Sequence, residues 1–121
     1  MELNIDYAIG FYNRGICYYE IDEFELAIKD LEKAKSQNAE FDGIDFYLGA
    51  SYCFLENFEK AIDLFSMHLL KYKDLNALKW RSDLYYFTDQ FELANNDITE
   101  LLLHESESID YYEDIQSLIH I

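Results

Sequence analysis

A pattern that returns every 34 residues or so leaves a chain few folds, because each unit must then stack on a copy of itself. Gly15 recurs as Gly49 and then Ser82, and Tyr18 as Tyr52 and Tyr85. Phe24 recurs as Phe58 and Phe91, and Ala27 as Ala61 and Ala94. The step is 34 residues from the first unit to the second and 33 from the second to the third. Four columns held in register three times do not arise by chance.

Inside each unit the apolar spacing is helical. Phe11, Tyr12, Gly15, Tyr18 and Tyr19 keep a three-to-four period, as do Phe24, Ala27, Ile28, Leu31 and Ala34. The polar stretch Glu20-Ile21-Asp22-Glu23 between them reads as a turn, with Asp22 the expected cap of the second helix. The spacing predicts helix pairs at 8–21 with 24–37, 42–55 with 58–71, and 75–88 with 91–104. A last amphipathic stretch, Ile109 to Ile121, carries Tyr112, Ile115, Leu118 and Ile119 at helical spacing and reads as a terminal helix.

Composition agrees with an all-α fold in a single domain. The 121 residues contain no proline and only four glycines, too few turn formers for an all-β sandwich or barrel of this size. Half the residues are hydrophobic, so a core can form. Nine basic side chains stand against 25 acidic ones, a net charge of −16. That balance argues against nucleic acid, whose phosphates need Lys and Arg, and against an anionic membrane surface. A charged partner would be basic. The charge is also uneven: residues 82–121 hold ten acidic side chains and no Lys or Arg. This segment is either a solubilising surface or a docking surface for a basic partner.

Chemistry-bearing constellations are missing from the sequence. The glycines are isolated, so no phosphate-cradling loop forms. His68, His104 and His120 lack zinc-type spacing and read as partly exposed helical residues. Carboxylate pairs such as Glu105 and Glu107 are expected in so acidic a chain. Cys17 and Cys53 read as buried, reduced thiols without a metal pattern around them. The acidic N-terminal residues lack a signal pattern, and no apolar run approaches ~20 residues. The expectation is a cytoplasmic protein without cofactor or catalytic activity.

The repeat resembles the tetratricopeptide repeat, over roughly residues 8 to 108. The second unit matches best, with Leu48-Gly49, Tyr52, Ala61 and Phe65; the first has Phe11, Arg14-Gly15, Tyr18, Ala27 and Leu31. The third, with Arg81-Ser82, Tyr85, Ala94 and Ile98, is the most degenerate. The chain departs at the proline column, where Ala39, Lys73 and Ser106 stand, and His68 sits where the family prefers a small residue. The resemblance implies a right-handed superhelical array of antiparallel helix pairs: repeats at 8–41, 42–74 and 75–108, with 109–121 as a cap. Small residues at Gly15, Gly49 and Ser82 and at Ala27, Ala61 and Ala94 would let helix backbones approach, with the Phe24, Phe58 and Phe91 rings filling the turns. Gly49→Leu should accordingly cost roughly 1–3 kcal/mol or more.

The resemblance further implies a concave groove lined by the first helices. Its columns carry over to Ile9, Tyr12, Ile16, Tyr19 and Glu20, then Gly43, Phe46, Ala50, Cys53 and Phe54, then Asn76, Lys79, Asp83, Tyr86 and Phe87. Such a groove is aromatic and mildly acidic, suited to a peptide with apolar anchors and basic flanks. Family members that grip the carboxylate tails of chaperones use Lys, Asn and Arg at columns that here hold Tyr12, Ile16, Phe46, Tyr47, Asn76, Lys79 and Trp80. A carboxylate clamp is not expected. A non-catalytic adaptor or chaperone is the leading expectation, resembling in size and charge the small secretion chaperones. The alternatives are a self-assembling repeat protein, forming a homodimer, and an acidic inhibitor or immunity-type protein that blocks a basic enzyme.

Overall fold

The computed structural model describes residues 5–37 and 40–104. It divides into two compact units, Met1–Lys73 and Asp74–Ile121. The first contains α1 (Ile5–Glu20), α2 (Phe24–Ser36), α3 (Ile44–Phe54) and α4 (Phe58–Lys71). The second contains α5 (Leu75–Phe87) and α6, helical from 91 to 104. All described secondary structure is helical, and the helix ends fall within three residues of the positions that periodicity predicts. The proposed capping helix at 109–121 lies outside the described residues.

In the first unit α1 packs on α2, α2 on α3, α3 on α4, and α1 also meets α3. The core between them gathers Ile28, Leu31 and Ala34 from α2, Ile44 and Leu48 from α3, and Leu64 from α4. Phe11, Tyr12, Ile16, Phe41, Tyr47 and Tyr52 pack against it from the rim. The small columns do what their size allows. A Cβ on Gly15 would stand 2.7 Å from Leu31 Cγ, and one on Gly49 would stand 3.2 Å from the Phe65 ring. In the second unit Ala77, Leu78, Ser82 and Leu84 of α5 are buried, with Ala94 and Asp97 of α6.

The turns correct one expectation. Asp22 does not cap α2; Glu23 holds the N-cap position, without a side-chain bond. Asp22 instead adopts the left-handed conformation, φ 63°, and Glu56 and Asp89 do the same at 63° and 60°. In the first turn the Asp22 N–H donates to the Tyr19 carbonyl and the Glu23 N–H to that of Tyr18, at 3.1 and 2.8 Å. The same pair of bonds recurs from Glu56 and Asn57, and again from Asp89 and Gln90. This is the helix-ending motif that normally places glycine at the left-handed position. It satisfies the last carbonyls of the first helix so well that the cap role is taken from Asp22. Elsewhere side-chain caps do form: Asn57 accepts from the Lys60 N–H, and Asp74 from those of Asn76 and Ala77.

A charged side chain at a left-handed position is strained, so glycine should be better there. Glu56→Gly should raise unfolding stability by about 0.5–1 kcal/mol, the relieved strain less the entropy glycine adds to the unfolded chain. Equilibrium urea unfolding measures it, and an unchanged or lower midpoint would contradict this account of the turn.

Two further expectations are corrected. Cys17 and Cys53 are free thiols, but Cys17 is exposed and Cys53 half-buried, because the buried side of α1 runs through Ala8 and Gly15. His68 is buried, enclosed by the rings of Phe46 and Tyr72 at 5.6 and 4.9 Å. Phe24 and Phe58 are half-buried at their turns, whereas Phe91 is mostly exposed. Among the described residues no helix is long and apolar enough to cross a membrane.

Candidate functional site

In the first unit each aromatic residue of the carried-over groove meets other rings of the fold, and Tyr19 and Phe54 meet one another. The Tyr12 ring stacks on Phe41 at 4.5 Å, and its hydroxyl donates to the Asp42 carbonyl at 2.7 Å. Ile16 is half-buried against the core. Tyr19 lies edge-on to Phe24 and Tyr47, at 5.8 and 5.5 Å, and tilted to Phe54 at 6.3 Å. Phe46 packs against Tyr47, Phe65 and His68. Phe54 stacks face to face on Phe24 at 4.5 Å and still leaves 53% of its surface in solvent. Glu20 is exposed beside them.

Two of the carried-over residues are not surface. Ala50 is fully buried, so it can only support the residues around it. Gly43 precedes α3 as its N-cap, in the left-handed conformation at φ 79°, and lines no helix face. In the second unit Lys79, Asp83, Tyr86 and Phe87 are all exposed, Phe87 at 73%. Tyr86 meets the rings of Phe87 and Phe91 at 6.4 and 5.7 Å.

Sequence reasoning missed the loop that organises one end of the first unit. Asp42 accepts from the Tyr12 hydroxyl through its carbonyl and from the Tyr72 hydroxyl through its carboxylate, the latter at 2.8 Å. The Asp-Gly pair at 42–43, with Phe41 before it, was the available turn signal. Tyr72 was not recognisable, since it stands at the end of α4 in no repeated column.

Several of these phenols hold their protons more firmly than usual. Burial raises Tyr12, with Tyr47 and Asp42 adding to it, and burial with nearby Glu20 raises Tyr19. Tyr72 is raised first by its bond to Asp42. Tyr52 is pushed up to about 12 by burial and by the bond it donates to Glu32 at 2.7 Å. A group whose folded pKa exceeds its unfolded value contributes stability that is whole below the unfolded pKa, here about 10. That contribution is lost as pH rises through the folded value. The melting temperature should therefore fall across the window from about 10 to 12, and fall less in Tyr52→Phe. A flat alkaline profile would contradict this.

The arrangement offers aromatic contact area. Among the described residues no three of His, Cys, Asp and Glu gather where they could hold a metal ion. The Tyr12 hydroxyl is bonded within the fold, while Glu20, Lys79 and Asp83 are exposed charged groups.

No family model and no curated protein matches the chain by sequence. Solved structures do match it. A mutant of MamA is 22% identical with a TM-score of 0.71, covering 78% of this chain and 69% of that one. The second TPR domain of Spaghetti (RPAP3), bound to the HSP90 peptide SRMEEVD, is 20% identical with a TM-score of 0.71, covering 83% and 88%. The first TPR domain of the same protein, bound to the same peptide, is 16% identical with a TM-score of 0.72, covering 98% and 97%. At such identities the likeness is one of fold. Together with the three-fold column pattern it establishes that this chain has the all-α tetratricopeptide-repeat fold.

Proposed function

We propose that the chain is a non-catalytic protein-interaction module, an adaptor or chaperone that holds a peptide or helix against the faces of its first helices. The observation that carries this is the exposure of Phe54, Tyr86 and Phe87, three large rings at the ends of α3 and α5. Rings left in solvent supply contact area at little entropic cost. The RPAP3 domains of the same fold are bound to a peptide, which supports a peptide as the ligand class here. Its sign should be opposite. SRMEEVD is an acidic tail, whereas this chain carries −16 and sets Tyr12, Ile16 and Phe46 at columns where an anion would need cations. The partner is a basic segment with apolar anchors, met in the cytoplasm.

The proposed site residues differ in how far each is engaged within the fold. Tyr12, Tyr19 and Phe46 are engaged within the fold, so their loss weakens the scaffold as well as the contact. Tyr86 and Phe87 are the cleaner contacts, Phe54 is both a contact and the partner of Phe24 in a stack, and Glu20, Asp83 and Lys79 are the exposed charged members of the set. Copurification from the native host, followed by titration of the recovered partner, tests the reading. Phe54→Ala, Tyr86→Ala or Phe87→Ala should weaken binding by about 1 kcal/mol or more at one or two positions, with helicity unchanged. Neutralising Glu105, Glu107, Glu113 and Asp114 should mainly slow association and flatten its salt dependence. Unaltered affinity in all three ring variants overturns the proposal. Recovery of the chain alone at double mass would favour self-assembly instead.

A further inference from the structure

The two hairpin turns of the first unit are brought to one place by the Phe24–Phe54 stack, since Phe24 follows the first turn and Phe54 precedes the second. Beside that stack stand the residues that directly follow α1 and α3. Ile21 is 66% exposed and Leu55 is 40% exposed. Neither belongs to the first-helix face. With the exposed part of Phe54 they put three exposed apolar side chains at the turn edge of the unit. Its rim is predominantly acidic: Glu20, Asp22, Glu23 and Glu25 around the first turn, and Glu56 and Glu59 with the neutral Asn57 around the second, all exposed. The nearest base in sequence, Lys60, lies over the Tyr52 ring at 5.1 Å. Apolar patches rimmed by polar residues mark interaction sites.

The turns also keep charge where it is unfavourable. Asp22 and Glu56 hold left-handed conformations that glycine would adopt without strain, so stability alone does not account for carboxylates there. We infer that this turn edge is a docking surface for a basic amphipathic segment of a partner protein, with a large apolar side chain seated against Ile21, Phe54 and Leu55 and Lys or Arg meeting the carboxylate rim. A second copy of this chain does not fit, because it would bring the same acidic rim and the same excess of negative charge. The inference rests on the partner class of the reading above and shares Phe54 and Glu20 with it, but centres the contact on the turn residues Ile21 and Leu55, and the experiment separates the two.

The probe is a fluorescein-labelled synthetic peptide of Leu-Lys-Lys-Leu blocks, titrated by anisotropy into the full chain. The controls are a Ser-Lys-Lys-Ser and a Leu-Glu-Glu-Leu peptide. The parent peptide should bind and both controls should bind at least about tenfold more weakly, since anchor and charge are each required. Ile21→Ser with Leu55→Ser should weaken the parent peptide about tenfold, whereas Leu70→Ser with Asp63→Asn, an exposed apolar and an exposed acidic residue on α4, should leave it within about twofold. Glu20→Gln, Asp22→Asn and Glu23→Gln together should lower the association rate and flatten its salt dependence. All substituted turn residues are exposed, and circular dichroism verifies that each variant remains helical. No binding, or affinity that the Ile21 and Leu55 changes leave intact, overturns the inference. In the latter case, weakening by Phe87→Ala would leave the first-helix reading standing alone.

Discussion

Placing one methyl group at each of three helical glycines should give three different outcomes. Gly10→Ala should stabilise the chain by up to about 1 kcal/mol, because alanine is the better helix former and nothing lies within 4 Å of the new Cβ. Gly49→Ala should come out near zero. Its Cβ would meet the buried Phe65 ring at 3.2–3.3 Å, so the ring must give by a few tenths of an ångström and the propensity gain is spent on that strain. Gly15→Ala should destabilise by about 1–3 kcal/mol, because its Cβ would fall 2.7 Å from Leu31 Cγ and 2.9 Å from Cδ2. Leu31 is fully buried and has nowhere to turn. Gly15→Leu should go further and open the α1–α2 hairpin, a larger loss than the one expected for Gly49→Leu. Urea unfolding of the series measures all of this. Equal effects at Gly10 and Gly15 would mean that the two helices do not approach as described.

That ranking shows where sequence reading stops. Glycine or serine recurring with alanine reveals that two helices must come close, since only small residues permit it. It does not reveal which pair comes closest, because that depends on the side chain opposite: Leu31 in the first hairpin and Phe65 in the second. The helices themselves were legible to within three residues because periodicity is local. Asp22 was misread for a non-local reason: an acidic residue before a helix fits the cap rule, but here the preceding helix claims the same residue to end itself. His68 and Cys17 were misplaced similarly, one drawn inward by Phe46 and Tyr72, the other turned outward on α1. Of the site, the columns carrying Tyr19 and Phe54 were legible. Their engagement was not, since the stack of Phe24 on Phe54 joins residues from separate repeats. Ala50 shows the same limit, being placed on the face by its column and removed from it by packing.

A charged pair in two of the three repeats leads to the second large effect. Arg14 is joined to Asp30 and Arg81 to Asp97, each through two hydrogen bonds between residues 16 apart. The second repeat has Leu48 and Leu64 at the corresponding positions, both in the hydrophobic core. One pair of columns thus accepts either an ion pair or an aliphatic contact. Asp97 keeps only 6% of its side chain in solvent and Arg81 20%, with the guanidinium 5.6 Å from the Tyr85 ring. The hydrogen bonds to Asp97, aided by its charge, raise the Arg81 pKa against the opposing effect of burial. Arg81→Leu should therefore cost about 2–4 kcal/mol, somewhat below a fully buried pair because part of Arg81 is open to water. Most of that cost belongs to the carboxylate left behind. Arg81→Leu combined with Asp97→Leu, which copies the second repeat, should recover nearly all of it and match or exceed the parent chain in stability. The double-mutant cycle should then show a coupling of about 2 kcal/mol or more. A double variant no more stable than the Arg81→Leu single would show that the third hairpin needs the guanidinium and carboxylate themselves, not merely a matched pair.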